Sequence, residues 1–483
     1  DLHLLSRRQR QMCIRDRFCA DGTIRVCWHS FRIFVADDRR LTRMKKGKAT
    51  LVFIALIVFT AIAWMGTFKG QIENTTAYND YLKKAASYEE KGIYIDALEN
   101  YEKALKLNSK EYDIVLKIAD MYYELGDING FITTCDKAIS MSPKDPVSYV
   151  KKANYYISKA QYTEAIKVIN SAPNAIKDNE EINNLKVELS TKCIDKYVSF
   201  TTISDWHVQD DVNYVAVEEN GKWGMTLKDG TRKIRLTFEY LGAYDSDTGV
   251  IPCCLEGNYY YIDLKGNKKL IGDNTYQFLG SFGCGLAPAQ RDGKYGYIDT
   301  DFNEKKFEYE YAGAFANDIA AVKKDGKWAL INTKLETITG FDYDEIIVDS
   351  NGFCSVYDVI IARQGDKYLF LDHKGGTIGK ETFDGASIAA SNDSYIAIKK
   401  GDLWGFANTK GEIVIEPIYE GAKSFSMGMA PVEVEDRWGY INIEGKLVIE
   451  TKYFEAGVFS EDGAAPVKDS SVWDFIVLCE YDN

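Results

Sequence analysis

One phrase recurs from Tyr197 to the end of the chain: a turn, an aromatic, often a glycine, a second aromatic or aliphatic residue, then usually a polar one. It stands at Trp223-Gly224-Met225, Tyr259-Tyr260-Tyr261-Ile262-Asp263, Tyr295-Gly296-Tyr297-Ile298-Asp299 and Trp328-Ala329-Leu330-Ile331-Asn332. It returns at Tyr368-Leu369-Phe370-Leu371-Asp372, Trp404-Gly405-Phe406-Ala407-Asn408, Trp438-Gly439-Tyr440-Ile441-Asn442 and Trp473-Asp474-Phe475-Ile476. The leading aromatics are 36, 36, 33, 40, 36, 34 and 35 residues apart. Copies at a near-fixed period mean a repeat architecture, because each unit buries its apolar face only against its neighbours.

Six residues before each leading aromatic stands a small or aliphatic residue, for example Val217, Ala289, Val322 and Val432. It closes a short alternating run, and Asn220-Gly221, Asp292-Gly293 or Asp325-Gly326 follows. Alternating runs joined by Asn-Gly or Asp-Gly read as β-hairpins, since these residues accept the positive φ of the tight turn. A second turn (Asp229-Gly230, Lys265-Gly266, Lys410-Gly411, Glu444-Gly445) leads into a third strand such as Glu412-Ile413-Val414-Ile415. Each unit therefore has at least three short antiparallel strands.

These residues resemble the WG repeat, a bacterial module named for its Trp-Gly pair, over about residues 213–477. The resemblance is closest at Trp223-Gly224, Trp404-Gly405 and Trp438-Gly439. It departs where Tyr replaces Trp and where Tyr260, Ala329, Leu369 or Asp474 replaces Gly. It implies no known activity. The last unit lacks a third strand, while Tyr197–Trp206 precedes the first hairpin like an orphan strand. A chain that begins with the strand its end lacks suggests ring closure, so the expected fold of 197–483 is a β-propeller of seven or eight small blades. The alternative is an open β-solenoid. Trp223, Tyr259, Tyr295, Trp328, Tyr368, Trp404, Trp438 and Trp473 are read as structural aromatics binding blade to blade rather than as stacking platforms for sugars. The Gly after Trp is read as making room for a neighbour's ring.

The first 43 residues hold ten Arg and no Lys, against five Arg and 44 Lys in the remaining 440. They are read as a non-native or disordered leader, with Met44 as the start. Lys45, Lys46 and Lys48 then precede an uncharged apolar run, Leu51–Phe68. Its 18 residues make a helix of about 27 Å, near the ~30 Å of a hydrocarbon core. Residues 44–69 thus read as a transmembrane signal anchor with the lysines cytoplasmic and the bulk of the chain outside. A signal peptide cleaved after Ala61-Ile62-Ala63 is the alternative.

Residues 71–196 have another period. Gly92, Gly126 and Ala160 are 34 apart, as are Tyr88, Tyr122 and Tyr156, Ala97, Phe131 and Ala165, and Ala104, Ala138 and Ala172. This pattern resembles the tetratricopeptide repeat, a helix–turn–helix unit. Three units are expected, with Glu180–Lys196 as a capping helix whose Ile182, Leu185, Val187, Leu189 and Ile194 share one side. The resemblance implies a concave groove for peptides at Leu82, Ala86, Glu89, Leu116, Asp120, Tyr123, Val150, Asn154 and Ile157, with Glu89, Asp120, Tyr123, Asn154 and Ile157 as its candidate ligand-binding residues. A spacer or self-association surface is the plainer reading. Together the segments describe an α+β multidomain chain: transmembrane helix, α-solenoid, then all-β WG-repeat domain.

Chemistry is sparse. His207 and His373 lie in different repeats, no zinc spacing occurs, and no nucleophile elbow, P-loop or dinucleotide fingerprint stands in context. Seven Cys follow the apolar run, none in a C-x-x-C pair. Asp299-Thr300-Asp301-Phe302-Asn303 is a weak calcium-loop likeness. Residues 44–483 carry 49 Lys and Arg against 67 Asp and Glu, which disfavours nucleic acid as a partner. The reading is a non-catalytic, outward-facing scaffold of the bacterial envelope, with protein or peptide partners, a glycan as a further possibility, and no cofactor, metal or catalytic residue. The alternatives are a secreted binding protein and a propeller enzyme acting on glycans. The enzyme reading requires Asp263, Asp299 and Asp372, which share one strand position, to converge on a cavity.

Overall fold

The structure is a computed structural model that describes residues 46–209, 212–272, 275–392 and 395–481. The leader (1–43), Met44 and Lys45 lie outside them. The chain divides into two compact units, Asp1–Ser142 and Pro143–Asn483.

In the first unit, α1 runs unbroken from Lys46 to Glu90. Its apolar stretch is bare: Phe59 and Trp64 are each 74% exposed. The later turns pack on α2 (Tyr94–Leu107) through Ala85, Ala97 and Ala104, all fully buried, so the small residues allow the close approach expected of them. Tyr101, Ile114, Ile118 and Met121 complete that core. Helices α3 (Tyr112–Glu124) and α4 (Ile128–Met141) form the next hairpin.

The 34-residue spacing of Gly92, Gly126 and Ala160 has one cause. Each residue sits at positive φ (70°, 73° and 54°) just past a helix end. The following N–H of Ile93, Asp127 and Gln161 reaches back to the carbonyl of Tyr88, Tyr122 and Tyr156, closing a Schellman turn. At Ala160 the Cβ opposes the left-handed conformation, so Ala160→Gly is expected to stabilise the fold by about 1 kcal/mol in a denaturant titration.

The second unit opens with α5 (Val147–Ser158), α6 (Tyr162–Asn170) and α7 (Glu180–Leu189). Asn179 caps α7 by accepting from the N–H groups of Glu181 and Ile182. This helix ends at Leu189, not at Lys196, and Val187 is 72% exposed. Cys193–Phe200, which includes Ile194, is instead a β-strand, so the helical periodicity there was accidental.

Eight sheets follow, and together they form an eight-bladed β-propeller. Each blade starts with a two-residue inner strand: Thr202–Ile203, Tyr240–Leu241, Phe278–Leu279, Tyr311–Ala312, Glu345–Ile346, Gly385–Ala386, Gly421–Ala422 and Glu455–Ala456. These strands are too short to leave a periodicity signal, and they are the element missing from the sequence reading. The hairpin built on the aromatic phrase comes next. An outer strand follows in blades one to three and five to seven, while blade four has three strands. In blade eight the outer strand is Cys193–Phe200, the start of the domain, paired antiparallel with Trp473–Leu478. Closure therefore uses the terminal strands as expected, but from Cys193 rather than Tyr197, and Thr202–Ile203 already belongs to blade one.

The core is eight apolar clusters, one per blade interface. The one between blades eight and one (Phe200, Phe475, Val215, Val217) completes the ring and excludes an open solenoid. In each blade the fully buried residue is not the leading aromatic but the one two positions on: Met225, Tyr261, Tyr297, Leu330, Phe370, Phe406, Tyr440 and Phe475 are all within 1% of complete burial. Strand alternation puts both on one face, toward the next blade, with the second deeper. Where that residue is Tyr, its hydroxyl donates across the interface: Tyr261 to Gly280 O (3.0 Å), Tyr297 to Gly313 O (2.9 Å) and Tyr440 to Gly457 O (2.8 Å). Tyr297→Phe leaves a buried carbonyl unpaired and should cost about 1–2 kcal/mol of unfolding free energy, measured in urea.

The glycine after the leading aromatic serves a different purpose from the one expected. A Cβ on Gly224, Gly405 or Gly439 would meet outer-strand backbone of its own blade, at 2.7, 2.5 and 2.5 Å from the carbonyl oxygens of Ile234, Ile415 and Ile449. The outer strand shifts register beside each of these glycines. Only at Gly296 is the neighbour a ring, that of Phe307, and Lys305 O lies there too.

Candidate functional site

The loops after the inner strands face the propeller axis, because those strands are too short to fill it. The loop of blade five (347–359) is long and crosses the axis as a plug. Phe353 is buried with Ala243 and Ala314, and Gly352 O accepts from Ala314 N at 2.8 Å. Ser355 Oγ donates to the carbonyls of Ala316 and Ile319, and Asn317 Nδ2 to those of Ser355 and Val356. On the opposite side the plug meets blade one. Ser350 N donates to Asp205 Oδ2 (2.8 Å), and Asp205 N donates to Ser350 Oγ (2.7 Å). The 40-residue gap between Trp328 and Tyr368, the longest of the seven, is the sequence signal of this plug.

Between the plug and the loops of blades one, six, seven and eight lies a cavity of about 540 Å³. Its charged lining is Asp205, Asp349, Lys423, Glu455 and Glu461, and its aromatic lining includes Trp206, Tyr357 and Trp473. Asp349 Oδ1 accepts from the N–H groups of Asn351 and Phe353, both at 2.9 Å. Burial, with the neighbouring Asp205, pushes its carboxyl up to about 7 despite those bonds. Burial also lowers the Lys423 ammonium, against the pull of Glu455 at 3.7 Å. The same ammonium lies 5.6 Å from the Trp438 ring centre. The Nε1 of Trp206 is buried and has no hydrogen-bond partner among the described residues. None of these lining charges was singled out from sequence, because they sit in loops or, for Glu455, on a two-residue inner strand.

The raised Asp349 sets a pH dependence. Between the unfolded carboxyl's pKa near 4 and about 7, the folded state keeps a proton that the unfolded state has released. Stability thus falls as pH rises through that window. Asp349→Asn keeps the acceptor for Asn351 and Phe353 without the charge, so thermal melts should show it matching the parent at pH 4. At pH 8 it should exceed the parent by on the order of 2–4 kcal/mol.

The strand-end carboxylates do not converge on this cavity. Asp263 Oδ1 accepts from the N–H groups of Lys265 and Asn267, Asp299 Oδ1 from those of Asp301 and Asn303, and Asp372 Oδ1 from those of Lys374 and Gly376. Asn332 and Asn408 make the same turns. This position is a turn lock, and the arrangement needed for a glycan-cleaving pair of these three Asp is absent. The Asp299 loop likewise bonds its own backbone, with Lys305 Nζ 3.2 Å from the carboxylate. Among the described residues no group of three or more His, Cys, Asp or Glu converges as metal ligands would.

The structural aromatics Trp223, Tyr259, Tyr295, Trp328, Tyr368, Trp404 and Trp438 are half-buried at the blade interfaces, and the half-buried Trp473 lines the cavity. They form no row of free sugar platforms. Tyr259–Phe278, Phe278–Tyr295, Tyr295–Tyr311 and Tyr311–Trp328 pack successively, edge-on or tilted, at 5.9, 6.0, 5.9 and 5.0 Å across blades two to four.

Of the groove candidates in the first unit, Glu89 is engaged internally, accepting from Tyr101 OH and from Lys117 Nζ at 2.7 Å. Burial raises its pKa, but the bonds from Lys117 and Tyr101 outweigh that and hold it low. Asp120 is half-buried on α3, and the exposed Tyr123 packs on Phe131 at 5.5 Å. In the second unit, Asn154 is exposed and Ile157 half-buried on α5.

The family models agree with the two periods. The model described as "WG containing repeat" matches residues 295–328, 404–438 and 438–473, and a tetratricopeptide repeat model matches 112–145. The chain carries WG repeats and a tetratricopeptide repeat. No curated protein matches it. Solved structures that resemble it include the TPR domain of Arabidopsis OM64 (20% identity, TM-score 0.21, covering 24% of this chain and 94% of that one). Another is the TPR2B domain of yeast Sti1 in complex with pHsp70 (19%, 0.21, 23% and 94%). On the β side there is Kluyvelomyces marxianus Hsv2 (8%, 0.34, 52% and 97%). Scores this low carry no argument about fold or ligand. The WG blades of this chain are thus defined by their own geometry: Trp at the half-buried rim, Gly under the register shift, and a buried aromatic beyond. The tetratricopeptide match begins at Tyr112, the first residue of α3. Both repeat types point to protein binding.

Proposed function

We propose that this is a single-pass, outward-facing protein of the bacterial envelope that binds other molecules and holds them at the membrane. The observation that carries the reading is the helix Lys46–Glu90, whose most apolar 18-residue window is wholly unburied and which precedes two kinds of binding repeat. Exposed apolar surface on that scale is unfavourable in water and favourable in lipid. Lys45, Lys46 and Lys48 orient the helix with its start in the cytoplasm. Helix α3 of the first unit takes a protein or peptide through Asp120 and Tyr123, and the propeller takes a second ligand. Turn locking of Asp263, Asp299 and Asp372 supports binding over glycan cleavage.

Protease added to spheroplasts expressing the full chain is the test of topology. Digestion of the propeller with retention of a membrane-embedded fragment is the expected result. Protection of the propeller overturns the outward orientation, and a freely soluble chain beginning after Ala63 establishes the cleaved, secreted form instead.

A further inference from the structure

We propose that the axial cavity of the propeller is a binding site for an organic cation, an ammonium or guanidinium group carried on a short apolar stem.

The argument starts from charge. Four carboxylates line the cavity (Asp205, Asp349, Glu455, Glu461) against the single ammonium of Lys423. Water-filled space with low-dielectric walls concentrates that imbalance. Its aromatic walls are the second ingredient, since indole and phenol faces attract cations and cover an apolar stem. Trp206, Tyr357 and Trp473 supply them. The volume of about 540 Å³ falls within the range of small-molecule sites, roughly 300–1,000 Å³.

Lys423 shows what the wall accepts. Its ammonium rests 3.7 Å from Glu455 and 5.6 Å from the centre of the Trp438 ring, a carboxylate and an aromatic face together. Among the described residues neither Asp205 nor Asp349 makes a direct ion pair, although Lys423 also feels the charge of Asp205. Asp205 Oδ2 is held by Ser350 N and Asp349 Oδ1 by two backbone N–H groups, which fixes both carboxylates in position. Two carboxylates so held repel each other, and the elevated Asp349 pKa reflects that repulsion on top of burial. An incoming cation relieves it, so binding should release a proton near pH 7 and tighten as pH rises to 8. The other titrating or charged groups facing this point are Asp205, Tyr311, Cys354, Tyr357, Lys423, Glu455 and Glu461.

The inference deepens the binding reading above by naming the chemistry the propeller takes, and it does not depend on membrane topology. The cation has two possible sources, a free amine or a Lys or Arg side chain presented by a protein partner. Calorimetry on the full chain in detergent, with cadaverine, agmatine and a Gly-Lys-Gly amide as probes, separates them. 1,5-Pentanediol and glutarate serve as neutral and anionic controls, and the tryptophan emission of Trp206 and Trp473 is a second readout. The cations are expected to bind at least about tenfold tighter than either control. Asp349→Asn and Glu455→Gln should each weaken them by about tenfold or more, with circular dichroism unchanged. Lys423→Met should strengthen them. A preference for cadaverine identifies a free amine, and a preference for the peptide identifies a partner's side chain. Cations no better than pentanediol, tighter glutarate, or full affinity in well-folded Asp349→Asn and Glu455→Gln would overturn the inference. A failed pull-down from envelope extracts alongside intact cation binding would sink the scaffold reading alone.

Discussion

Replacing Asp474 by alanine is expected to lower unfolding free energy by on the order of 2–4 kcal/mol and to open the ring at its seam before the rest of the propeller melts. Asp474 occupies the position that is Gly in the Trp-Gly pair, and it is nearly buried. Its Oδ1 accepts from Val198 N (2.7 Å) and Ser199 N (2.8 Å), the two donors left over where the closing strand shifts register between Lys196 and Phe200. Without the carboxylate both N–H groups lose their acceptor at a part-buried seam, and Ser199 already sits at φ 61°. Asp474→Asn keeps an acceptor and should retain most of the stability. Hydrogen exchange localises the effect: faster exchange confined to 193–200 and 473–478 is the expected pattern in the alanine variant. Uniform change across all blades would mean that closure does not depend on this residue.

Gly439→Ala is expected to cost about 3 kcal/mol, within the upper range for an overpacked site. The added Cβ would stand 2.5 Å from Ile449 O and 2.8 Å from the Thr451 and Glu450 backbone, and backbone in a paired strand cannot yield as a side-chain tip can. Gly428→Ala is the control. It adds the same methyl at φ 71° with nothing within 4 Å, so it pays only the left-handed penalty of about 1–2 kcal/mol. Equal losses in urea titrations of the two variants would contradict the steric account of the Trp-Gly glycine.

The architecture was legible in sequence wherever one physical demand repeats. The buried position beyond each leading aromatic recurs because every blade presents the same face to the next. Gly92, Gly126 and Ala160 recur because every helical hairpin ends in the same left-handed turn. Strand-end Asp or Asn recurs in blades two to seven because each of those blades needs the same turn lock. The axial site was illegible for the opposite reason. Asp205, Asp349 and Lys423 lie in loops and Glu455 on an inner strand, each once, brought together only by ring closure. The inner strands, two residues each, fall below any detectable period, and without them the loops cannot be placed at the axis. The half-burial of the Trp ladder was also hidden, since strand alternation assigns a face but not a depth.

Ring closure is the claim on which the cavity, its plug and the seam all depend. The measurement that tests it most directly is a spin-label distance between Lys222→Cys in the blade-one hairpin and Ser470→Cys in the blade-eight hairpin, both exposed positions, in a background with Cys284→Ser, the exposed thiol among the described residues, and with Cys13, Cys19 and Cys27 also replaced by Ser. Neighbouring blades place the labels within about 25 Å, whereas eight units stacked in an open array at ~10 Å per layer place them about 70 Å apart. A single narrow distribution at the short distance is the predicted result, and a population near 70 Å would contradict the closed propeller.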